Sequence, residues 1–150
     1  MLKGIDPLLT PDLLRLLADM GHDDALVLAD ANFTAVRLAA GKPVLRLPGI
    51  SMARAVRAID SVLPLAADVD HPVAFMQVSG TQPPYLSALQ REVLDLLQPS
   101  LLPHQRAEAI ERFAFYERVQ AAFAIVVTGE RQPFGNFILR KGVIGDTLRP

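Results

Sequence analysis

The sequence contains no cysteine. Its absence excludes disulfides, thiolate metal ligands and a cysteine nucleophile. The three histidines, His22, His71 and His104, are far apart along the chain, and none has the short spacing that is typical of paired metal ligands. We therefore expect no metal site. The sequence also has no motif for a redox cofactor, and we expect none.

An excess of charge of either sign is also missing. Lys and Arg total 15, Asp and Glu total 16, and the formal net charge is -1 at pH 7. A nucleic-acid-binding protein would have a basic stripe, and an acidic disordered tail would have an excess of Asp and Glu, so this balance argues against both. No apolar run approaches the length of about 18 residues that a membrane span requires, and the N-terminus lacks the pattern of a secretory signal. We expect a cytoplasmic protein that binds a neutral partner, and neither nucleic acid nor membrane.

Apolar residues make up 51% of the 150 residues, which is enough for one domain, residues 1–150, whose core needs no disulfide. Helical and strand patterns alternate along the chain. This alternation predicts a layered α/β domain in which helices pack on a mixed, mostly parallel sheet.

The first predicted helix introduces the first candidate site residues. Thr10 is a suitable N-cap for this helix, and Gly21 is predicted to end it as a left-handed C-cap, which puts His22 just beyond the helix. The apolar run Ala25–Ala29 predicts a strand that is buried on both faces. It delivers Asp30 to its carboxyl end, where open α/β sheets bind their ligands. Because the two ends of such a strand are roughly 15 to 20 Å apart, His22 and Asp30 meet only if loops curl back or another subunit contributes.

The remaining elements follow from periodicity and from the prolines. A helix is predicted to begin after Ser51 and to end before Pro64, with Asp60 on its outer face. Further helices are predicted over residues 85–97 and 105–110, and further strands over residues 43–48, 73–78, 122–127 and 136–139.

The segment 112–131 combines charged groups with a very apolar run. Arg112 and Tyr116 are four residues apart, so they share a face whether the segment is helical or extended. A guanidinium beside a phenol suits a hydroxyl-rich ligand. The alternative is that Glu108 and Arg112 form a surface ion pair while Tyr116 is half-buried packing.

Several short motifs occur in a distinctive order: Gly21-His22-Asp23-Asp24, Asp30-Ala31, the run from Arg112 to Arg118, Thr128-Gly129-Glu130-Arg131 and Gly135-Asn136. In order and separation they resemble the L-fucose mutarotase branch of a family that also contains D-ribose pyranase. The resemblance covers nearly the whole chain.

The resemblance implies a three-layer α/β/α domain that assembles into a ring of about ten subunits, with a monosaccharide bound near a subunit interface. It implies an isomerase that interconverts the anomers of L-fucose or a related sugar, with His22 as the proton donor. It also implies that Asp30, Arg112 and the tripeptide Phe134-Gly135-Asn136 contact the sugar. We add Tyr116, which could offer its phenol or a stacking face.

Histidine suits this chemistry because its unperturbed pKa of about 6.5 allows it to give and take protons near neutral pH. The alternatives are that His22 interacts with the helix C-terminus and that Asp30 forms an Asx turn. Phe134 stands where the family usually has tyrosine, and Asn32 where the close mutarotases are expected to have histidine. Alternative functions are therefore a ribose-type pyranase, a non-catalytic sugar-binding or transport-associated module, and a structural ring protein.

Overall fold

The computed structural model describes residues 2–145 as a six-stranded mixed sheet with helices on both faces. The helices are α1 (Pro11–Asp19), α2 (Ala35–Ala39), α3 (Met52–Asp60), α4 (Ala88–Leu97) and α5 (Arg112–Ala121), and a short 3-10 turn, Gln98–Ser100, follows α4. The strands are β1 (Ala25–Ala29), β2 (Val44–Leu47), β3 (Val73–Met76), β4 (Glu108–Ile110), β5 (Ala124–Thr128) and β6 (Phe137–Arg140). In the described part of the chain, no helix has the length and hydropathy needed to cross a membrane.

The strand order is β2-β5-β1-β6-β3-β4. Strand β6 is antiparallel to its neighbours β1 and β3, and the other three pairings are parallel. The prediction of a mixed, mostly parallel sheet is therefore confirmed. The parallel strands all end at one edge of the sheet, which we call the carboxyl edge, and β6 begins there. The opposite edge, where β1 begins and β6 ends, we call the amino edge.

Helices cover both faces of the sheet, as the three-layer prediction requires. Leu26 and Leu28 of β1 belong to the apolar cluster that includes side chains of α1, α3 and α4. Val27 and Ala29 point the other way, into the cluster that includes side chains of α2 and α5. The continuous apolar run of β1 is thus explained by burial on both faces.

The end of α1 differs from the prediction. Gly21 is not in the left-handed region, and the C-cap of the helix is Met20, which has extended backbone angles. The Lys141 ammonium donates to the carbonyls of Leu17 and Met20, and the Asp24 carboxylate accepts the Gly21 N–H. Because these side chains satisfy the terminal backbone groups, a left-handed glycine is unnecessary.

The predicted helix over residues 105–110 is also wrong, because residues Glu108–Ile110 form strand β4 in parallel pairing with β3. The segment before it is fixed by Gln105, whose buried amide donates to the carbonyls of Ala66 and Val69 at 2.8 and 2.7 Å. The pairing of this segment with β3 therefore outweighs the helical preference of its local sequence. Helix α4 begins three residues later than predicted, because Ser87 and Gln90 form a capping box.

Asp60, predicted on the outer face of α3, is instead packed against the turn that follows α4. Ser100 Oγ donates to Asp60 Oδ2 at 2.8 Å, while Oδ1 is buried and finds no hydrogen-bond partner in the described part of the chain. Burial raises the pKa of Asp60, and the Ser100 hydrogen bond opposes that rise. The carboxylate also lies at the negative end of the α3 dipole. The ionised form therefore destabilises the fold.

We expect Asp60→Asn to raise the melting temperature at pH 7. A carboxyl whose pKa is raised in the folded protein contributes less stability as the pH rises through that pKa, so the gain from Asp60→Asn should shrink as the pH falls and more of the wild-type carboxyl is protonated. Circular dichroism melts between pH 4 and pH 8 measure the difference. Asp95→Asn, on an exposed position of α4, is the control. An equal gain at both ends of the pH range would contradict the explanation.

Candidate functional site

Asp30 and Asn136 form a reciprocal pair at the carboxyl edge. Asp30 follows β1 and Asn136 precedes β6, and the two strands are antiparallel neighbours. Asn136 Oδ1 accepts the Asp30 backbone N–H at 2.9 Å, and Asn136 Nδ2 donates to Asp30 Oδ2 at 2.9 Å. Their exposed fractions are only 4% and 2%. The two bonds fix the orientation of the amide and of the carboxylate.

Asp30 remains able to accept hydrogen bonds from a ligand. Its Oδ1 accepts the Asn32 N–H at 3.0 Å, which is the Asx turn considered as an alternative, and the Gly135 backbone also donates to the carboxylate. A carboxylate has about four acceptor sites, so at least one remains for a further donor. Burial raises the pKa of Asp30, while the hydrogen bonds from Asn32 and Asn136 oppose the rise. A carboxylate in this setting gains from any additional donor, such as a sugar hydroxyl.

The turn 134–136 is held by a residue that the sequence reasoning missed. Gln90, fully buried on α4, donates from Nε2 to the carbonyls of Met76 at 2.7 Å and Phe134 at 3.2 Å. Phe134 has a φ of 61°, in the left-handed region, and a Cβ added at Gly135 would lie 2.7 Å from Leu89 Cδ2, so a side chain there would displace Leu89. The sequence contained one indication of this role: Gln90 lies on the same face of α4 as Val93 and Leu97, which is the buried face.

Arg112 is the first residue of α5 and also lies at the carboxyl edge, next to the end of β3. Its Nε atom is buried and has no hydrogen-bond partner among residues 2–145, and its guanidinium carbon lies 4.6 Å from the centroid of the Phe113 ring. Together with Glu111 and the loop 77–82, it lines a cavity of about 410 Å³. A buried donor without a partner is costly, so this atom is ready to bind an acceptor.

The proposed ion pair between Glu108 and Arg112 is wrong. Glu108 lies in strand β4 rather than in a helix shared with Arg112, and its carboxylate pairs with Arg118 at 2.9 Å. Tyr116 lies one turn after Arg112 on α5 and is half-buried. Its ring packs edge-on against Phe33 and Phe113, with centroid distances of 5.8 and 6.1 Å. The packing considered for Tyr116 is therefore present beside Arg112.

His22 lies at the amino edge, away from this group. Its side chain is 46% exposed, and Nε2 lies 3.1 Å from Asp68 Oδ2. It lines a largely apolar cavity of about 570 Å³ between the end of α1 and residues 141–144. The length of β1, roughly 15 to 20 Å with its flanking residues, separates His22 from Asp30. A single chain therefore brings Asp30, the turn 134–136 and Arg112 to one edge and leaves His22 at the other.

The other two histidines are exposed. His71 Nδ1 lies 2.9 Å from the Arg106 carbonyl oxygen, and His104 lies in a turn. Within residues 2–145, no three or more His, Asp or Glu side chains are arranged to hold a metal ion.

Comparison with known proteins extends over nearly the whole chain. The sequence profile of the RbsD / FucU transport protein family matches residues 3–144. The L-fucose mutarotase of Glaesserella parasuis serovar 5 (strain SH0165) is 41% identical over 143 residues, which make up 95% of this chain and 96% of that protein.

Two crystal structures are similar in fold. That of protein Atu2016 has a TM-score of 0.89 and 41% identity, with 97% of each chain covered. That of the fucose mutarotase from Streptococcus pneumoniae, in complex with L-fucose, has a TM-score of 0.85 and 34% identity, with 96% of this chain and 100% of that chain covered. Both edges of the sheet lie within the matched region.

Proposed function

This chain belongs to the RbsD / FucU transport protein family, and from that premise we propose that it is a mutarotase, an isomerase that interconverts the anomers of L-fucose or a related monosaccharide. The observation that supports this most is the carboxyl edge. This edge contains the buried carboxylate of Asp30, the oriented amide of Asn136 and the guanidinium of Arg112. Such acceptors and donors can bind a ligand rich in hydroxyls. Similarity to L-fucose mutarotases over almost the full length points to the same substrate class.

The reaction requires only proton transfers. In ring opening, the anomeric hydroxyl loses a proton, the bond from the anomeric carbon to the ring oxygen breaks, and the ring oxygen gains a proton. Rotation of the open-chain aldehyde and reversal of these steps give the other anomer. Nothing is oxidised or reduced. His22 supplies the group that gives and takes the protons, because imidazole does both near neutral pH.

The carboxyl edge holds the sugar in place. Asp30 accepts hydrogen bonds from sugar hydroxyls, and the Asn136 side chain and Gly135 backbone complete the polar contacts. Arg112 donates to a hydroxyl or to the ring oxygen. Phe134 and Tyr116 offer aromatic surface to the apolar side of the sugar.

The complete site lies between subunits. His22 occupies the amino edge and the sugar-binding residues occupy the carboxyl edge, so His22 of one subunit meets the carboxyl edge of another. Contact between two different surfaces of the same chain is heterologous, and such contacts build a ring when the rotation from one subunit to the next closes. We therefore propose a homo-oligomeric ring, of about ten subunits in accordance with the family resemblance.

Saturation-transfer NMR on sugar solutions tests the activity directly. Irradiating one anomeric proton of L-fucose should transfer saturation to the other anomer only when the protein is present. D-ribose and several aldohexoses, measured in the same way, define the preferred sugar. Exchange at the uncatalysed rate for all of them would contradict a mutarotase.

Phe134 favours a second candidate, a non-catalytic monosaccharide-binding module. The missing hydroxyl removes one hydrogen bond to the sugar, worth about 0.5–1.5 kcal/mol if a neutral bond is made. A module of this kind would raise its melting temperature with sugar without accelerating exchange. A ribose-type pyranase would instead accelerate exchange between pyranose and furanose forms of D-ribose in the same NMR experiment.

We expect Arg112→Lys to raise the KM for L-fucose by about tenfold or more, because a compact ammonium cannot reproduce the fork of the guanidinium and a charged hydrogen bond is worth about 1.5–3 kcal/mol. Initial exchange rates over a range of sugar concentrations measure the change. Arg91→Lys, on an exposed position of α4, is the control. An unchanged KM for Arg112→Lys would argue against direct contact with the sugar.

A further inference from the structure

We propose that Asp68 is a positioning residue for His22, and that it engages Nε2 of the imidazole so that Nδ1 faces the sugar. The inference rests on the proposed function, because it assigns a partner to the histidine that transfers the proton. Asp68 itself touches neither the sugar nor the reacting atoms.

The contact between the two side chains is direct. His22 Nε2 lies 3.1 Å from Asp68 Oδ2 and 3.2 Å from Oδ1, so one ring nitrogen is shared by both carboxylate oxygens. Among residues 2–145, no hydrogen bond engages His22 Nδ1. The partners are 46 positions apart in sequence, so the fold rather than the local chain brings them together.

Both sides of the contact are anchored in the fold. On the His22 side, the Asp23 N–H donates to the Lys141 carbonyl at 2.8 Å, and the Lys141 N–H donates to the Asp24 carbonyl at 2.9 Å. On the Asp68 side, buried Gln105 holds the carbonyls of residues 66 and 69, which flank Asp68. Most surface ion pairs join two freely moving side chains and contribute little. Here the backbone on each side is fixed.

The charges around the pair favour an ionised Asp68. The hydrogen bond from His22 is the largest cause that lowers the pKa of Asp68, and Arg140 contributes a smaller effect in the same direction. The Arg140 guanidinium donates to Asp23 Oδ1 at 2.7 Å. Asp24 is turned towards the Gly21 N–H, and the Lys141 ammonium binds carbonyls at the end of α1.

An ionised carboxylate can only accept hydrogen bonds, so the neutral imidazole must carry its proton on Nε2. Nδ1 is then the basic nitrogen. When it takes the proton of the anomeric hydroxyl, the imidazolium that forms is stabilised by the carboxylate of Asp68. The proton passes to the ring oxygen as the ring opens, which restores the neutral imidazole.

The test uses Asp68→Asn, which keeps the shape of the side chain and removes its charge. We expect the maximal exchange rate on L-fucose to fall by about tenfold with KM within twofold, because the sugar-binding edge is untouched. ¹⁵N NMR of the histidine rings, assigned with His22→Gln, should find His22 with its proton on Nε2 in the wild type and in mixed tautomers in the variant. Asp68→Glu should recover part of the rate.

Asp70→Asn is the matched control, because Asp70 lines the same polar cavity as Asp68 without a hydrogen bond from His22. It should leave both the rate and the tautomer unchanged. If wild-type protein accelerates exchange while Asp68→Asn retains the full rate and the Nε2 tautomer, the inference is wrong and the proposed function stands. If wild-type protein does not accelerate exchange, the proposed function fails and the role of Asp68 fails with it.

Discussion

Replacing His22 with alanine is expected to lower the catalysed rate of L-fucose anomer exchange by about 10²- to 10⁴-fold, the usual contribution of a positioned acid–base group. The reason is chemical. Imidazole is the only type of side chain that we place at the sugar whose unperturbed pKa lies near neutral pH, since those of carboxyl, guanidinium and phenol groups lie well away from it. Saturation-transfer NMR at a fixed concentration of sugar measures the loss.

The fold should survive this substitution. The His22 side chain is about half exposed, and its ion pair with Asp68 lies at the surface, where such pairs contribute little to stability. The melting temperature of His22→Ala should therefore stay close to that of the wild type. Loss of exchange in a stable, fully assembled protein would separate a chemical role from a structural one.

His71→Ala is the matched control, since His71 is another exposed histidine whose ring makes a polar contact, to the Arg106 carbonyl. It should retain the wild-type rate. If His22→Ala retained that rate as well, His22 would have no part in the mechanism.

The fold was largely predictable where one apolar pattern decides the structure. The run Ala25–Ala29 and the β-branched residues of β5 are buried on both faces, and their composition alone indicates a central strand. Thr10 and Ser51 cap α1 and α3 as predicted, because N-capping depends only on neighbouring residues.

The errors lie where a distant partner decides the structure. Glu108–Ile110 is a strand because β3 lies alongside it, and Gln105 is buried because the carbonyls of Ala66 and Val69 need a donor. Gly21 does not need to cap α1, because Lys141, 120 residues away in the sequence, donates to a carbonyl at the end of that helix. Contacts between residues so far apart in sequence cannot be predicted from local sequence patterns.

The candidate site was likewise predictable in part. The rule that ligands bind at the carboxyl ends of strands predicted the position of Asp30, and the structure brings Asn136 and Arg112 to the same edge. Gln90 and Asp68 were missed, because each acts through a tertiary hydrogen bond. The separation of His22 from Asp30 followed from strand length alone, and it leads to the second large effect that we expect.

Mixing two inactive variants should restore activity. His22→Ala removes the proposed acid–base group at the amino edge, and Arg112→Ala removes a proposed sugar-binding residue at the carboxyl edge. If each site combines His22 of one subunit with Arg112 of another, random 1:1 assembly leaves both residues intact in about one quarter of the sites. Co-expression with two different affinity tags, tandem purification and native mass spectrometry establish that the subunits have mixed. The exchange rate should then approach one quarter of the wild-type rate.

The control is the same mixture made with His22→Ala and the double variant His22→Ala/Arg112→Ala, in which no site has an imidazole at position 22, so no recovery is expected. Recovery in the first mixture alone would mean that two chains build one site. Absence of recovery in both would mean that His22 and Arg112 act within a single chain. That outcome is hard to reconcile with the length of β1, which separates the two edges of the sheet that the chain itself forms.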